Sequence, residues 1–321
     1  MLSLLKTRRP APEPAPKSLP DQAPPAMKAT GPVSRLLDRF ASRLGGAPVL
    51  EAQSRAGGRL ISMLAFQPLA GGSGTTTLAV NYASAIATAN PGLRVLLLDL
   101  NLQFGGVGLH LNLPETLKIV DAYARLGSLD HDGFRACLQK SSDNLSVFTA
   151  PAEVLPLDAV NPTHLRHLIS LARANSDVLV MDLPLAVTDW SAEIWKRADY
   201  LALNGTLDVR SAAGLRRLSD LAGRDLLQSA HCHILLNRVA GRRSSSWQEE
   251  YQAFTRPLAR KAPKLMPEGG PGVTAALAAG QSLPRFQPQN PLAETILREI
   301  SLLTFTNPGG AARPAPSGKS A

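Results

Sequence analysis

The chain has 321 residues, 44% of them apolar, and a formal net charge of +9, enough to bury a substantial core as one large α/β domain with appendages. No apolar run approaches the roughly 18–20 residues that span a bilayer, and Cys137 and Cys232 match no zinc or redox spacing, so they read as buried, reduced thiols of a cytoplasmic protein. The positive charge points to an acidic partner, nucleic acid or an anionic membrane surface, although several of the charges fall near the chain ends.

Residues 1–32 carry Pro10, Pro12, Pro14, Pro16, Pro20, Pro24, Pro25 and Pro32 with few large apolar groups. Such a stretch cannot offset its ordering entropy and reads as a disordered tail. The basic residues of the opening MLSLLKTRRP follow a very short apolar run, the reverse of a secretory signal. Over residues 33–46, Val33, Leu36, Leu37, Phe40 and Leu44 share one helical face, and Gly45 and Gly46 end the pattern. This amphipathic helix could pack on its own domain, dock on a partner or lie on a membrane surface, and disorder is the remaining alternative. Residues 47–58 read as a linker, 59–305 as the folded domain and 306–321 as a second disordered tail.

Within 59–305, strands alternate with helices. LISMLAF reads as the first strand and Thr76–Asn90 as the first helix, closed by Pro91 and Gly92. RVLLLDL is a continuous apolar run, as a strand buried on both faces requires. NLSVFTA, DVLVMDL, DYLALNG and CHILLN follow as further strands, with helices at His164–Ala174 and Val209–Leu227 between them. Arg238–Pro267 reads as a polar, basic loop with a short helix near Gln248–Phe254, and Leu292–Leu303 as the last helix. The alternation predicts a doubly wound, mostly parallel sheet flanked by helices, which binds ligands at the carboxyl ends of its strands.

The first strand-to-helix junction is LAGGSGTTTL. Gly71, Gly72, Ser73, Gly74, Thr75, Thr76 and Thr77 have the spacing of a phosphate-binding loop, whose amides and helix dipole would hold phosphate oxygens. A plain turn with an N-capping threonine gives the same pattern. The full motif demands a lysine where Thr75 stands; Thr76 retains the hydroxyl that would ligate magnesium. Asp99 and Asp182 each end an apolar strand, where a carboxylate reaches the magnesium edge of a nucleotide site, acts as a helix cap or simply turns the chain. Asn237, closing HILLN, could contact a base or be a turn residue. The six histidines form no metal-ligating pair.

AGGSGTTTLAVNYASAIA, RVLLLDLNLQFGGVGLHLNL, DVLVMDLP and CHILLN together resemble the ordered motifs of the ParA/MinD family of P-loop ATPases. DLNLQFGGVGLHLNLP and PEGGPGVTAALAAGQSLPRFQPQNPLAETI resemble its CpaE/TadZ branch, the assembly and localisation proteins of Flp (Tad) pili. The resemblance implies a cytoplasmic domain that binds ATP or ADP with magnesium and dimerises with nucleotide between subunits. It further implies partners in the pilus and secretion machinery and a place at the inner face of the membrane or the cell pole. Proteins of that branch commonly carry a receiver-like domain ahead of the ATPase-like one; here the N-terminal segment, residues 1–46, is expected to tether the protein to a pilus-machine partner or to the membrane, the latter by peripheral contact through 33–44. Three positions depart from the family pattern. Ala70 stands where the family's signature lysine would be, Thr75 replaces the phosphate lysine, and Asn101 replaces the second aspartate of D-x-D. Loss of two cations and a carboxylate weakens triphosphate binding and, more severely, transition-state charge stabilisation, so weak or absent binding of ATP or ADP with magnesium and very weak or absent hydrolysis are expected. Two alternatives remain. One is an active partitioning ATPase binding DNA through basic residues such as Arg216, Arg217, Arg242 and Arg243; the other is a metabolic P-loop enzyme, for which no cluster-ligating cysteines or substrate motif are present.

Overall fold

The structure is a computed structural model describing residues 60–240, 245–258 and 261–305. The predicted helix at 33–44, both expected tails, and Arg242 and Arg243 therefore lie outside the described residues.

An eight-stranded sheet runs in the order β4 (Gln139–Lys140), β5 (Leu145–Phe148), β3 (Val95–Asp99), β6 (Val178–Asp182), β2 (Met63–Pro68), β7 (Tyr200–Thr206), β8 (Cys232–Val239) and β9 (Lys264–Pro267). All neighbours are parallel except β4 and β5. All six predicted strands are present, the first of them divided in two. Their continuous apolar runs are explained by two cores, one on each face. Leu64, Phe66, Leu97 and Val180 point to one face, while Met63, Ala65, Leu96, Leu98, Leu179 and Met181 point to the other. The first face is covered by α1 (Thr75–Ala89), the second by α2 (Pro162–Ala174) and α3 (Val209–Ala222). Two further long helices, α4 (Ser245–Thr255) and α5 (Pro291–Ser301), follow; α5 lies against α1 through Ile296 and Ile300. No helix among the described residues is long and apolar enough to cross a membrane.

The structure differs from expectation in three places, each for a local reason. LISMLAF is not one strand. Asp199 accepts hydrogen bonds from the Ser62 N–H, the Ser62 hydroxyl and the Met63 N–H at 2.9–3.0 Å. This interruption separates β2 from β1 (Leu60–Ile61), which pairs instead with β10 (Thr304–Phe305). The predicted helix Val209–Leu227 breaks at Gly223, whose φ of 83° is left-handed; a short helix, Arg224–Gln228, follows. Finally, the supposed loop before Pro267 contains β9, an edge strand of four residues in which Met266 alone is buried. So short a stretch carries no readable alternation.

Candidate nucleotide-binding site

The carboxyl ends of β2, β3, β6, β7 and β8 bring the predicted site residues together. From β2 the chain turns through Leu69–Gly74 and enters α1 at Thr75. Gly72 and Gly74 have φ of 76° and 80°, a region costly for residues with a Cβ. Gly74 is constrained twice, because a Cβ there would stand 2.6 Å from the Asn237 side-chain nitrogen.

Two asparagines hold the loop from below. Asn204 of β7, fully buried, donates to the Ser73 carbonyl at 3.1 Å and the Thr75 hydroxyl at 2.9 Å. Asn237 of β8 donates to the same Ser73 carbonyl at 2.9 Å. In a trans peptide the C=O and the next N–H point in opposite directions. Fixing the Ser73 carbonyl inward therefore turns the Gly74 N–H toward the loop's mouth, at the positive end of the α1 dipole. The amide of Asn237 is thus engaged with the loop itself. The amino-acid sequence alone assigns Asn204 no role; its only signal there is an amide following the otherwise apolar run YLAL.

The three threonines divide. Thr75 is buried and its hydroxyl lies 3.0 Å from the Ser73 hydroxyl, within the asparagine network. Thr76 donates to Asp182 Oδ2 at 2.7 Å. Thr77 meets His110 Nε2 at 3.2 Å. Because His110 Nδ1 faces the Gly106 carbonyl at 2.8 Å, Nδ1 carries the proton and Nε2 accepts from Thr77. Burial lowers the His110 pKa, which keeps the ring in that neutral form. Thr77 thereby ties α1 to the loop after β3.

Asp99 and Asp182 are both buried, on adjacent strands and in register. Burial pushes the Asp99 pKa up to about 6, against the downward pull of the N–H groups of Asn101, Val107 and Ala150. Asp182 is raised well above the ordinary range by burial and then by Asp99. Its Oδ1 is buried without a hydrogen-bond partner. An orphaned buried carboxylate oxygen beside a threonine hydroxyl fits a hard divalent cation such as magnesium, which takes oxygen ligands. Among the described residues no cluster of three or more His, Cys, Asp or Glu side chains could hold a metal, so a cation here would rely on Thr76, Asp182 and the phosphate. Asn101 takes no part: its amide bonds back to Phe104 N and O at 3.4 and 3.1 Å. Ala70 is buried beside a cleft of about 550 Å³ whose walls include Leu69, Leu185, Val187, Val209 and Arg217.

No protein-family model and no curated protein matches the chain. Solved structures do. A ParA family ATPase from Chlorobium tepidum TLS superposes with a TM-score of 0.63 at 22% identity, covering 75% of this chain and 99% of that one. The septum site-determining protein MinD of Pyrococcus horikoshii, complexed with Mg-ADP, gives 0.57 at 16% identity over 75% and 96%. A chain of the MinC:MinD cell division protein complex of Aquifex aeolicus gives 0.56 at 16% over 77% and 98%. The fold is that of the ParA/MinD P-loop ATPases.

Proposed function

We propose that this protein binds ATP or ADP with magnesium at the Gly71–Thr77 loop, hydrolyses it very slowly or not at all, and serves as a scaffold for assembling or positioning a pilus of the Flp (Tad) type. The observation that carries the nucleotide reading is the corner formed by the Thr76 hydroxyl and the open oxygen of Asp182, directly below the loop. Magnesium there would screen phosphate charge; Thr76 and Asp182 would hold it, and the loop's amides would orient the phosphates.

Slow turnover follows from what surrounds that corner. Thr75 and Ala70 supply no cation, and the Thr75 hydroxyl is committed to Asn204. Asn101 offers no carboxylate and is folded onto Phe104. Loss of one transition-state contact alone costs roughly 10²-fold or more in rate, by analogy with oxyanion-hole donors. The assembly role rests on the resemblance of the motif after β3 to the CpaE/TadZ branch, and homodimerisation and pilus partners belong to that same reading.

Titration of the full chain with ATP and ADP, with and without magnesium, beside a hydrolysis assay, tests the first half. Magnesium-dependent binding without appreciable turnover is expected; brisk hydrolysis would overturn it. Imaging a tagged protein lacking residues 1–46 tests targeting by the N-terminal segment, and unchanged localisation would refute that role. ATP-dependent, salt-sensitive DNA binding would instead favour the partitioning reading, for which Arg216 and Arg217 lie exposed on α3.

A further inference from the structure

The phosphate loop has no lysine or arginine of its own between Leu69 and Leu78, yet a cation reaches it from another strand. Residue 238 lies at the end of β8, where pairing with β9 shifts register between Leu236 and Val239. There Arg238 adopts φ of 58°, a left-handed conformation uncommon for a residue with a side chain. Its N–H is held by Asn237 Oδ1 at 2.9 Å, while the other end of the same amide clamps the Ser73 carbonyl. Asn237 and Val239 are both buried, and Arg238 is exposed between them. Arg238 Nη2 thereby comes within 3.9 Å of where a Cβ on Gly74 would stand. Asn237 links this arrangement to the glycine whose N–H faces the loop's mouth. Independently, the unpartnered buried Oδ1 of Asp182 marks the neighbouring corner as a ligand site.

We infer that Arg238 supplies in cis the positive charge that Thr75 and Ala70 do not, by contacting the phosphate chain of a bound nucleotide. The inference rests on the nucleotide-binding reading and deepens it. Arg238 reaches the loop from the side of β8 and Asn237. A guanidinium in this position can pair with phosphate oxygens through two N–H groups, holding the ligand without placing a lysine among the oxygens that separate during transfer. The site thus combines retention with slow turnover, as a scaffold requires. The left-handed backbone at Arg238 is the local strain that this delivery incurs.

The test uses the full chain and three probes: MgATP, inorganic tripolyphosphate and adenosine. Arg238→Gly removes the charge and relieves the backbone, so the variant should melt no lower than the parent. It should bind MgATP and tripolyphosphate roughly 10- to 100-fold more weakly, as loss of a charge-assisted contact predicts, and adenosine equally well. Arg238→Lys should recover part of the loss as a point charge. Unchanged phosphate binding in Arg238→Gly, or an equal loss for adenosine, would overturn the role of Arg238. Failure of the parent protein to bind either phosphate probe would overturn the nucleotide reading itself, and this inference with it.

Discussion

Asp99 and Asp182 end neighbouring strands in register, equally buried, yet their surroundings give them opposite tasks. Both oxygens of Asp99 are occupied: Oδ1 accepts from Asn101 N–H at 3.0 Å and Oδ2 from Val107 N–H at 3.2 Å. The loop between those residues wraps so closely that a Cβ on Gly105 would stand 2.6 Å from Oδ2. Asp182 has one oxygen on Thr76 and the other open. Asp99 therefore organises the chain after β3, whereas Asp182 keeps one buried oxygen without a hydrogen-bond partner, as the proposed cation site requires. Strand position alone does not assign a carboxylate to chemistry; the satisfaction of its oxygens does.

The largest expected effect sets the two apart in stability. Asp99→Ala leaves the buried Val107 N–H and the half-buried Asn101 N–H without their acceptor, at up to roughly 1–3 kcal/mol each. Urea denaturation at pH 4, below the Asp99 pKa of about 6 so that the buried carboxyl is neutral, should show a loss on the order of 2–4 kcal/mol. Asp182→Ala, which orphans only the Thr76 hydroxyl, should cost clearly less. Equal losses would erase the distinction between them.

Ligand binding should show the reverse order. Asp182→Asn removes the open anionic oxygen and should reduce the magnesium enhancement of nucleotide binding by roughly 10- to 100-fold, the scale seen when even outer-shell metal partners are lost. Calorimetric titration with and without magnesium reads this directly. If Asp182→Asn retains the full enhancement, the cation is held elsewhere.

Much of this arrangement is legible in the amino-acid sequence, and the remainder is hidden for physical reasons. Apolar runs ending in Asp99 and Asp182 locate the strands and the sheet edge because both faces of a doubly wound sheet must be buried. Glycines at 71, 72 and 74 mark the loop for the same reason that φ of 76° and 80° at Gly72 and Gly74 excludes most side chains. The partition of Thr75, Thr76 and Thr77 among three different partners has no such signal, since it depends on which strand ends lie beneath each hydroxyl. Asn204 and Arg238 are invisible for the same cause. One acts through a loop 131 residues away, and the other through a strand irregularity that exists only once β8 pairs with β9.

The two aspartates also predict a pH response. Both have folded-state pKa values raised by burial, Asp99 from the ordinary 3.8 to about 6 and Asp182 well above its ordinary value. The folded state binds these protons more tightly than the unfolded chain. Their contribution to stability is therefore full below pH 3.8 and is lost as pH rises through 6 and beyond. Asp182→Asn should flatten that decline. A cation at Asp182 favours the ionised form, so magnesium-nucleotide binding should release protons and strengthen with rising pH. Titrations in buffers of different ionisation enthalpy measure that release; none would mean that the carboxyls are already ionised.

The smallest effect concerns Thr75 and Thr76, which repeat the contrast of the aspartates at the start of α1. The Thr75 hydroxyl is enclosed by Ser73 and Asn204, as Asp99 is enclosed by amides, whereas Thr76 stands beside the open oxygen. Thr75→Val keeps the shape and removes the hydroxyl, leaving one Asn204 N–H unpaired. It should cost about 1 kcal/mol of stability and leave magnesium-nucleotide affinity within roughly twofold, a difference of less than about 0.5 kcal/mol. Thr76→Val should do the opposite, lowering the magnesium enhancement with little change in melting. If Thr75→Val instead weakened nucleotide binding at unchanged stability, its hydroxyl would face the ligand. The residue in the lysine's place would then belong to the site rather than to the interior beneath it.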